Sequence, residues 1–366
     1  GPAACKLLRE FAEITGFPVT LTLMGLGAFP ASNPNFLGML GMHGTYEANL
    51  AMHNCDVMLN IGARFDDRVT GRIDAFSPHA TKIHIDIDQS SINKNVLADI
   101  PILGDAERVL TTMIDYWKKK KLTPRADSLK SWWIEINSWR GKECLKFEQE
   151  GKIIKPQFAI KRLFEKTQNK DVYISTEVGQ HQMWAAQYFG FDKPNRWMTS
   201  GGLGTMGYGL PAAMGTQVAH PNALVIDIAG DASILMNMQE FSTIIQYRLP
   251  VKVFIINNQW MGMVRQWQEL NHGSRYSQSY TESLPDFIQL AQSFGGTGMV
   301  AETVDDLDKV IDEMINSETF FIADIRVQKE ESCFPMIPSG AAHNEMILSA
   351  KDTENSKTSA EGMALV

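Results

Sequence analysis

The 366-residue sequence predicts an α/β chain of two doubly wound parallel-sheet domains, and three observations carry that prediction. Short apolar runs rich in β-branched residues alternate with stretches of helical spacing, as parallel βαβ units require. The basic and polar stretch KKKKLTPRADS, from Lys118 to Ser128, breaks the alternation into two blocks. In the second block Leu224–Ala229 and Val251–Ile256 are bounded by turn residues and too short for helices, so each reads as a buried parallel strand.

The elements follow in order. Lys6–Thr15 has helical spacing, Pro18 ends it, and Val19–Leu23 reads as a strand before the turn GLGAFP. Gly44–Asn54 reads as a helix, Val57–Ile61 and Lys82–Ile87 as strands, and Asp105–Lys118 as a helix opened by an Asp cap. Residues 1–122 therefore form a first domain, and 123–155 a linker with a Trp-rich surface helix over Ser131–Gln149. The second domain, 156–349, has helices over 157–167, 181–189, 286–294 and 303–316. Its outer strands cover 171–175 and 320–327, and a glycine-rich stretch covers 200–209. Between the two central strands Ile234–Tyr247 has helical spacing, which completes a βαβ unit. Residues 350–366 are small and polar and read as a mobile tail.

Composition excludes several classes. A hydrophobic content of 44% with 21% charged residues is that of a globular protein, and a net charge of −8 argues against nucleic acid as a partner. The run Lys118–Lys121 reads as a solvated helix end. Cys5, Cys55, Cys144 and Cys333 are scattered without a CxxC pair, which points to free thiols in a cytoplasmic setting rather than disulfides or zinc. No apolar stretch approaches the roughly 18 residues of a membrane span. The opening GPAACKLLREFAEITGFPV starts inside a helix with no leader, so the chain reads as a fragment whose first domain lies elsewhere.

Ligands bind beyond the carboxyl ends of strands in open α/β sheets. Gly230-Asp231-Ala232-Ser233 ends one central strand and Asn257-Asn258 the next, with Asp231 and Asn258 27 positions apart. A carboxylate and an amide at one rim suit Mg²⁺ that also holds a phosphate; an N-cap and a turn are the plainer alternative. Gly62–Gly71 (GARFDDRVTG) offers Arg64 and Arg68, either as a diphosphate clamp or as exposed ion pairs. Asp86 and Asp88 close a strand where an acid could take ribose hydroxyls. GLGTMG (202–207) matches G-x-G-x-x-G with Asp227 twenty residues on, which opens a rival reading as an NAD-dependent dehydrogenase. The same glycines would let Met206 approach a cofactor as an apolar wedge. His181 follows a strand as an acid, base or donor, and the loop from Met261 to Trp267 suits the wall of a substrate channel.

The pair GDAS…NN resembles the thiamin diphosphate signature, with Ala232 where that family commonly has Gly. LTLMGLGAFP, MLGMHGTYEAN, GARFDDRVTG, KIHIDID, EVGQHQMWAAQ, SGGLGTMGYGLPAA, NNQWMGMVRQWQ and PMIPSGAA together resemble landmarks of the acetohydroxyacid synthase (acetolactate synthase) large catalytic subunits, over about residues 1–345. The resemblance implies a flavin-binding middle domain and a thiamin diphosphate domain, with the family's N-terminal pyrimidine-binding domain absent. It implies Mg²⁺ on Asp231, Asn258 and the carbonyl of Trp260. Thiamin diphosphate would meet Val178, Gly179, Gln180, His181, Gly204, Met206, Gly230, Ala232, Ser233, Met261, Gly262, Met263 and Val264. FAD would meet Thr22, Leu23, Leu40, Gly41, Met42, His43, Gly62, Ala63, Arg64, Phe65, Asp66, Arg68, Asp86, Ile87, Asp105 and Ala106. Gln180, His181, Met206, Met263 and Trp267 would border the reacting centre, with Trp267 and Ser339 in the channel. The implied reaction joins decarboxylated pyruvate to a second 2-ketoacid, pyruvate or 2-ketobutyrate, in branched-chain amino-acid biosynthesis. A homodimer or larger homo-oligomer and a regulatory small subunit are implied partners. The family's activating glutamate lies in its first domain, so this chain alone is expected to be inactive. A non-catalytic flavin- or nucleotide-binding module is the remaining alternative.

Overall fold

Glycine and proline punctuate the N-terminal region at Gly16, Pro18, Gly25, Pro30, Gly38 and Gly44, and the strands between them are correspondingly short. The computed structural model describes residues 1–355, in two units. The first holds Gly1–Lys146, Asp192–Pro194 and the chain from Phe334 onward; the second holds Phe147–Phe191 and Asn195–Cys333.

In chain order the first unit comprises α1 (Pro2–Thr15), β1 (Val19–Leu21), β2 (Phe36–Met39), α2 (Tyr46–Asn54) and β3 (Val57–Ile61). It continues with α3 (Asp67–Thr70), β4 (Thr81–Asp86), β5 (Ile100–Leu103), α4 (Ala106–Lys119) and α5 (Ala126–Arg140). Gly16 closes α1 at φ 69°, a left-handed value that suits glycine, and Asp105 caps α4 through the N–H of Arg108, as the sequence predicts. Helices α1 and α4 bury Phe11, Leu110 and Ile114 against each other. The strands depart from a single sheet: β1 and β2 form one parallel pair, and β3, β4 and β5 a separate parallel set. Gly38 inside β2 and Pro101 inside β5 hide both strands from pattern reading.

Helix α5 begins and ends earlier than the helix expected over Ser131–Gln149, and most of its residues are exposed. It ends at Arg140, buries Ile136 completely, and packs Trp132, Trp133 and Trp139 around Leu37, Ala48 and Ala51.

The second unit comprises α6 (Pro156–Thr167), β6 (Val172–Thr176), α7 (Gln180–Tyr188), β7 (Trp197–Met198), α8 (Gly209–Ala219) and β8 (Leu224–Gly230). After these come α9 (Glu240–Gln246), β9 (Lys252–Asn257), α10 (Gly262–Asn271), α11 (Phe287–Ser293), β10 (Thr297–Ala301), α12 (Val304–Asn316) and β11 (Phe321–Arg326). Among the described residues its strands form one parallel sheet in the order β10-β11-β9-β8-β6-β7. Central β8 and β9 are buried on both faces, and Val225, Ala229, Val253 and Ile255 join Phe241, Phe287 and Phe320 in the core.

The helix predicted over Ile234–Tyr247 is in fact two pieces, a 3₁₀ turn at Ile234–Met236 and α9. Asn237 breaks it, because its side chain donates to the carbonyl of Gly207 at 2.5 Å instead of lying along a helix. Residues 334–349, expected within the second domain, make their contacts in the first unit. Ala350–Asn355 form a 3₁₀ stretch, and the rest of the expected tail lies outside the described residues. All four cysteines are free, and no described helix is long and apolar enough to cross a membrane.

Candidate functional site

Parallel pairing brings three strand tips together in the second unit. Gly230 on β8 pairs with Ile256 on β9, and Thr176 on β6 with Ile228 on β8. The chain therefore delivers Asp231, Asn257-Asn258 and Glu177–His181 to one rim.

Asp231 is 1% exposed. Its carboxylate accepts from the N–H groups of Ala232 at 2.7 Å and Gln259 at 2.6 Å. Burial nevertheless pushes its pKa up to about 7, with the charge of Asp324 adding to the rise. Asn258 turns Oδ1 toward the N–H of Trp260 at 3.1 Å and donates from Nδ2 to Oε1 of Gln180 at 3.3 Å. Beneath Gly230 lies the imidazole of His181, so close that a Cβ on that glycine would come within 2.8 Å of the ring. Burial holds His181 neutral, its pKa down to about 3, and Nε2 has no hydrogen-bond partner among the described residues. These side chains and Val178, Gly179, Met206, Ala232, Ser233, Trp260, Met261, Gly262, Met263 and Val264 line one cleft. Gly204 stands beside Val178 at φ 66°. Trp184 and Ile256 complete the wall.

Glu177 is the residue that sequence reasoning passed over. It is fully buried, and its carboxylate accepts from the N–H groups of Gly207 at 2.5 Å and Leu210 at 3.1 Å. The N–H groups of Tyr208 and Gly209 also lower its pKa, against a larger upward push from burial. Glu177 thus closes the N-terminus of α8, which has no capping side chain of its own. Behind it Asp227 is wholly enclosed, with one hydroxyl, that of Ser175, at 3.1 Å. Burial and the neighbouring Glu177 raise Asp227 well above the carboxylate range, so the proton resides on Asp227 and the charge on Glu177.

This arrangement removes the dehydrogenase reading of GLGTMG. A dinucleotide needs the helix N-terminus for its pyrophosphate and an acid at the next strand tip for ribose. Here Glu177 fills the first, and Asp227 sits mid-strand against Gly209, where a Cβ would come within 2.2 Å of its Oδ1.

In the first unit the flavin candidates also fall beyond parallel strands. Thr22 and Leu23 follow β1; Leu40, Gly41, Met42 and His43 follow β2; Gly62, Ala63, Arg64, Phe65 and Asp66 follow β3. Asp86 and Ile87 close β4, and Asp105 and Ala106 follow β5. Arg64 pairs with Asp66 at 2.8 Å and Arg68 with Asp67 at 2.7 Å, all exposed. Gly62, at φ 71°, faces open space. Phe65 turns inward instead, with its ring against Phe76 and His84. His43 is buried against the carbonyl of Pro335 at 3.1 Å. Trp267 lies half-buried on α10 in the second unit and Ser339 is buried in the first.

Residues 177–325 match the C-terminal TPP binding domain of thiamine pyrophosphate enzymes, and residues 2–113 match their central domain. The chain belongs to the thiamine pyrophosphate enzymes. It is similar to the acetolactate synthase isozyme 3 large subunit of Escherichia coli (strain K12), at 47% identity over 95% of this chain and 61% of that one. The acetolactate synthase large subunit of Haemophilus influenzae is 47% identical over 95% of this chain and 60% of its own, and that of Cyanidium caldarium 43% over 93% and 58%. The chain thus spans about 60% of the length of the curated relatives it matches.

Proposed function

We propose that the second unit holds Mg²⁺ and the diphosphate of thiamin diphosphate, that the first unit holds FAD, and that the protein to which they belong is an acetolactate synthase. One observation carries the reading: a buried carboxylate at Asp231, with no cationic partner among the described residues, beside the amide of Asn258 on the adjacent strand tip. A hard divalent cation relieves that burial and takes oxygen ligands of this kind. Asp231, Asn258 and the carbonyl of Trp260 are the proposed ligands.

When bound, thiamin diphosphate supplies a nucleophilic carbon that decarboxylates one 2-ketoacid and joins the remainder to another. The chain's own part is positioning. The N-terminus of α7 suits diphosphate oxygens, and Nε2 of His181 would donate to them once their charge draws a proton onto the ring. Met206 and Met263 supply apolar walls that keep water from the reacting carbon. Ionised Glu177 holds the main chain after Met206, and so the wall, in place. Pyruvate and 2-ketobutyrate are the proposed substrates, with Trp267 on α10 bordering their approach. The relatives' designation as large subunits supports a small regulatory partner, and a homo-oligomer is proposed with it.

Calorimetric titration of thiamin diphosphate with and without Mg²⁺ tests the site. Asp231→Ala should abolish the Mg²⁺-dependent affinity while leaving flavin binding unchanged. Equal affinity in the variant overturns the reading.

A further inference from the structure

Three buried amide side chains run in series from the end of the second unit to the metal-facing rim. Gln266 on α10 is fully buried and pairs twice with the main chain of Cys333: its Oε1 accepts from the N–H at 2.7 Å, and its Nε2 donates to the carbonyl at 3.2 Å. The same Oε1 accepts from Nε2 of Gln180 at 2.8 Å. Gln180 Nε2 also donates to the carbonyl of Glu331 at 3.0 Å, and its Oε1 accepts from Nδ2 of Asn258 at 3.3 Å.

Each link fixes the polarity of the next. A backbone N–H only donates and a carbonyl only accepts, so Cys333 admits one orientation of the Gln266 amide. That orientation presents an oxygen to Gln180, which, as the carbonyl of Glu331 also requires, answers with nitrogen and so offers oxygen to Asn258. Asn258 in turn must answer with nitrogen and turns Oδ1 to the rim, toward the N–H of Trp260 at 3.1 Å, which favours the same orientation. Released from Gln180, the Asn258 amide keeps only the Trp260 N–H, and an amide that turns over presents its NH₂ to a cation, which no cation tolerates.

We propose that Gln266 is a positioning residue that, through Gln180, orients the oxygen of Asn258 toward the bound cation. The inference rests on the Mg²⁺ site proposed above. Gly262 belongs to the same device: a Cβ there would come within 2.0 Å of Gln180 Oε1, so glycine is what admits the middle amide.

The test is the Mg²⁺ concentration dependence of thiamin diphosphate binding by calorimetry in the whole protein, with melting temperature as the check on folding. Near-isosteric Gln266→Met should weaken apparent Mg²⁺ affinity on the order of 10-fold, as loss of a group orienting a metal ligand does. Asn258→Asp supplies a carboxylate whose two oxygens need no orienting, so in that background Gln266→Met should have no such effect. A role in packing alone would weaken binding equally in both backgrounds, and that result overturns the proposal. Gly262→Ala, which displaces Gln180 from the other side and improves helix propensity, should reproduce the loss; unchanged Mg²⁺ affinity there also overturns it. If Asp231→Ala leaves Mg²⁺-dependent binding intact, the site reading itself is at fault. If Asp231→Ala abolishes binding while Gln266→Met acts equally in both backgrounds, only the relay is.

Discussion

His181 shows how a single side chain can carry the functional reading. Its ring is enclosed beneath Gly230 and neutral down to about pH 3, and Nε2 meets no partner in the described protein. A buried polar atom left unpaired is unfavourable, and an anion at the rim that draws a second proton onto the ring would satisfy it. A hydrogen bond to a charged group contributes about 1.5–3 kcal/mol. His181→Phe should therefore lower Mg²⁺-dependent thiamin diphosphate affinity on the order of 10- to 100-fold, while the free protein melts no lower than before. Calorimetry and a melting curve read the two together, and undiminished affinity in the Phe variant would sink the assignment. At this scale the sequence was informative wherever chemistry sat at a strand tip. Asp231, Asn258 and His181 were legible because a turn residue after a β-branched run is an address in a parallel sheet. Gln266 and Glu177 were not, because their partners lie 67 and 30 or more positions away and no local pattern marks a buried amide or acid as paired.

At the scale of elements, α8 depends on a residue outside it. GLGTMGYGLPAAMG is poor in helix formers and offers no capping side chain, which is why the sequence pattern shows a glycine-rich stretch over 200–209 and no sign of the helix after it. Glu177 supplies from the tip of β6 the acceptor that the segment lacks. Glu177→Ala would strand several buried N–H groups, each worth about 1–3 kcal/mol when unsatisfied, and should destabilise the second unit by about 2–5 kcal/mol. Asp227→Asn copies the protonated acid already present and keeps the bond to Ser175, so it should change stability by less than about 1 kcal/mol. Urea midpoints distinguish the two, and equal losses would mean that the proton has been assigned to the wrong carboxyl. The other unread elements have their own physical causes. Gly38 and Pro101 conceal β2 and β5, while α10 begins at a glycine whose missing Cβ leaves room for the Gln180 amide.

Over the whole molecule, the two units should respond differently to acid. His43 and His343, in the first unit, are buried and neutral, with pKa values pushed down by burial from 6.5 to about 4. An unfolded chain takes up those protons near pH 6.5, the folded one only near pH 4. Their stabilisation is therefore complete above pH 6.5 and is lost as pH falls toward 4. At about 1.4 kcal/mol per pH unit, each histidine accounts for at most roughly 3 kcal/mol across that window. Half-exposed His53 adds to the loss, and Glu47, raised by burial, offsets part of it. In the second unit His181 acts in the same direction, but Asp231 and Asp227 oppose it. Their folded forms hold protons that the unfolded chain releases, so they favour folding as pH falls toward the ordinary carboxylate range. Scanning calorimetry between pH 7 and pH 5 should thus show the first unit's transition moving down further than the second's. His343→Gln keeps a donor for the carbonyl of Val69, which His343 meets at 2.8 Å, without a titrating ring. In that variant the gap between the transitions at pH 5 should narrow. Transitions that shift in parallel, or a gap unchanged by His343→Gln, would show that buried histidines do not set the acid response of the first unit.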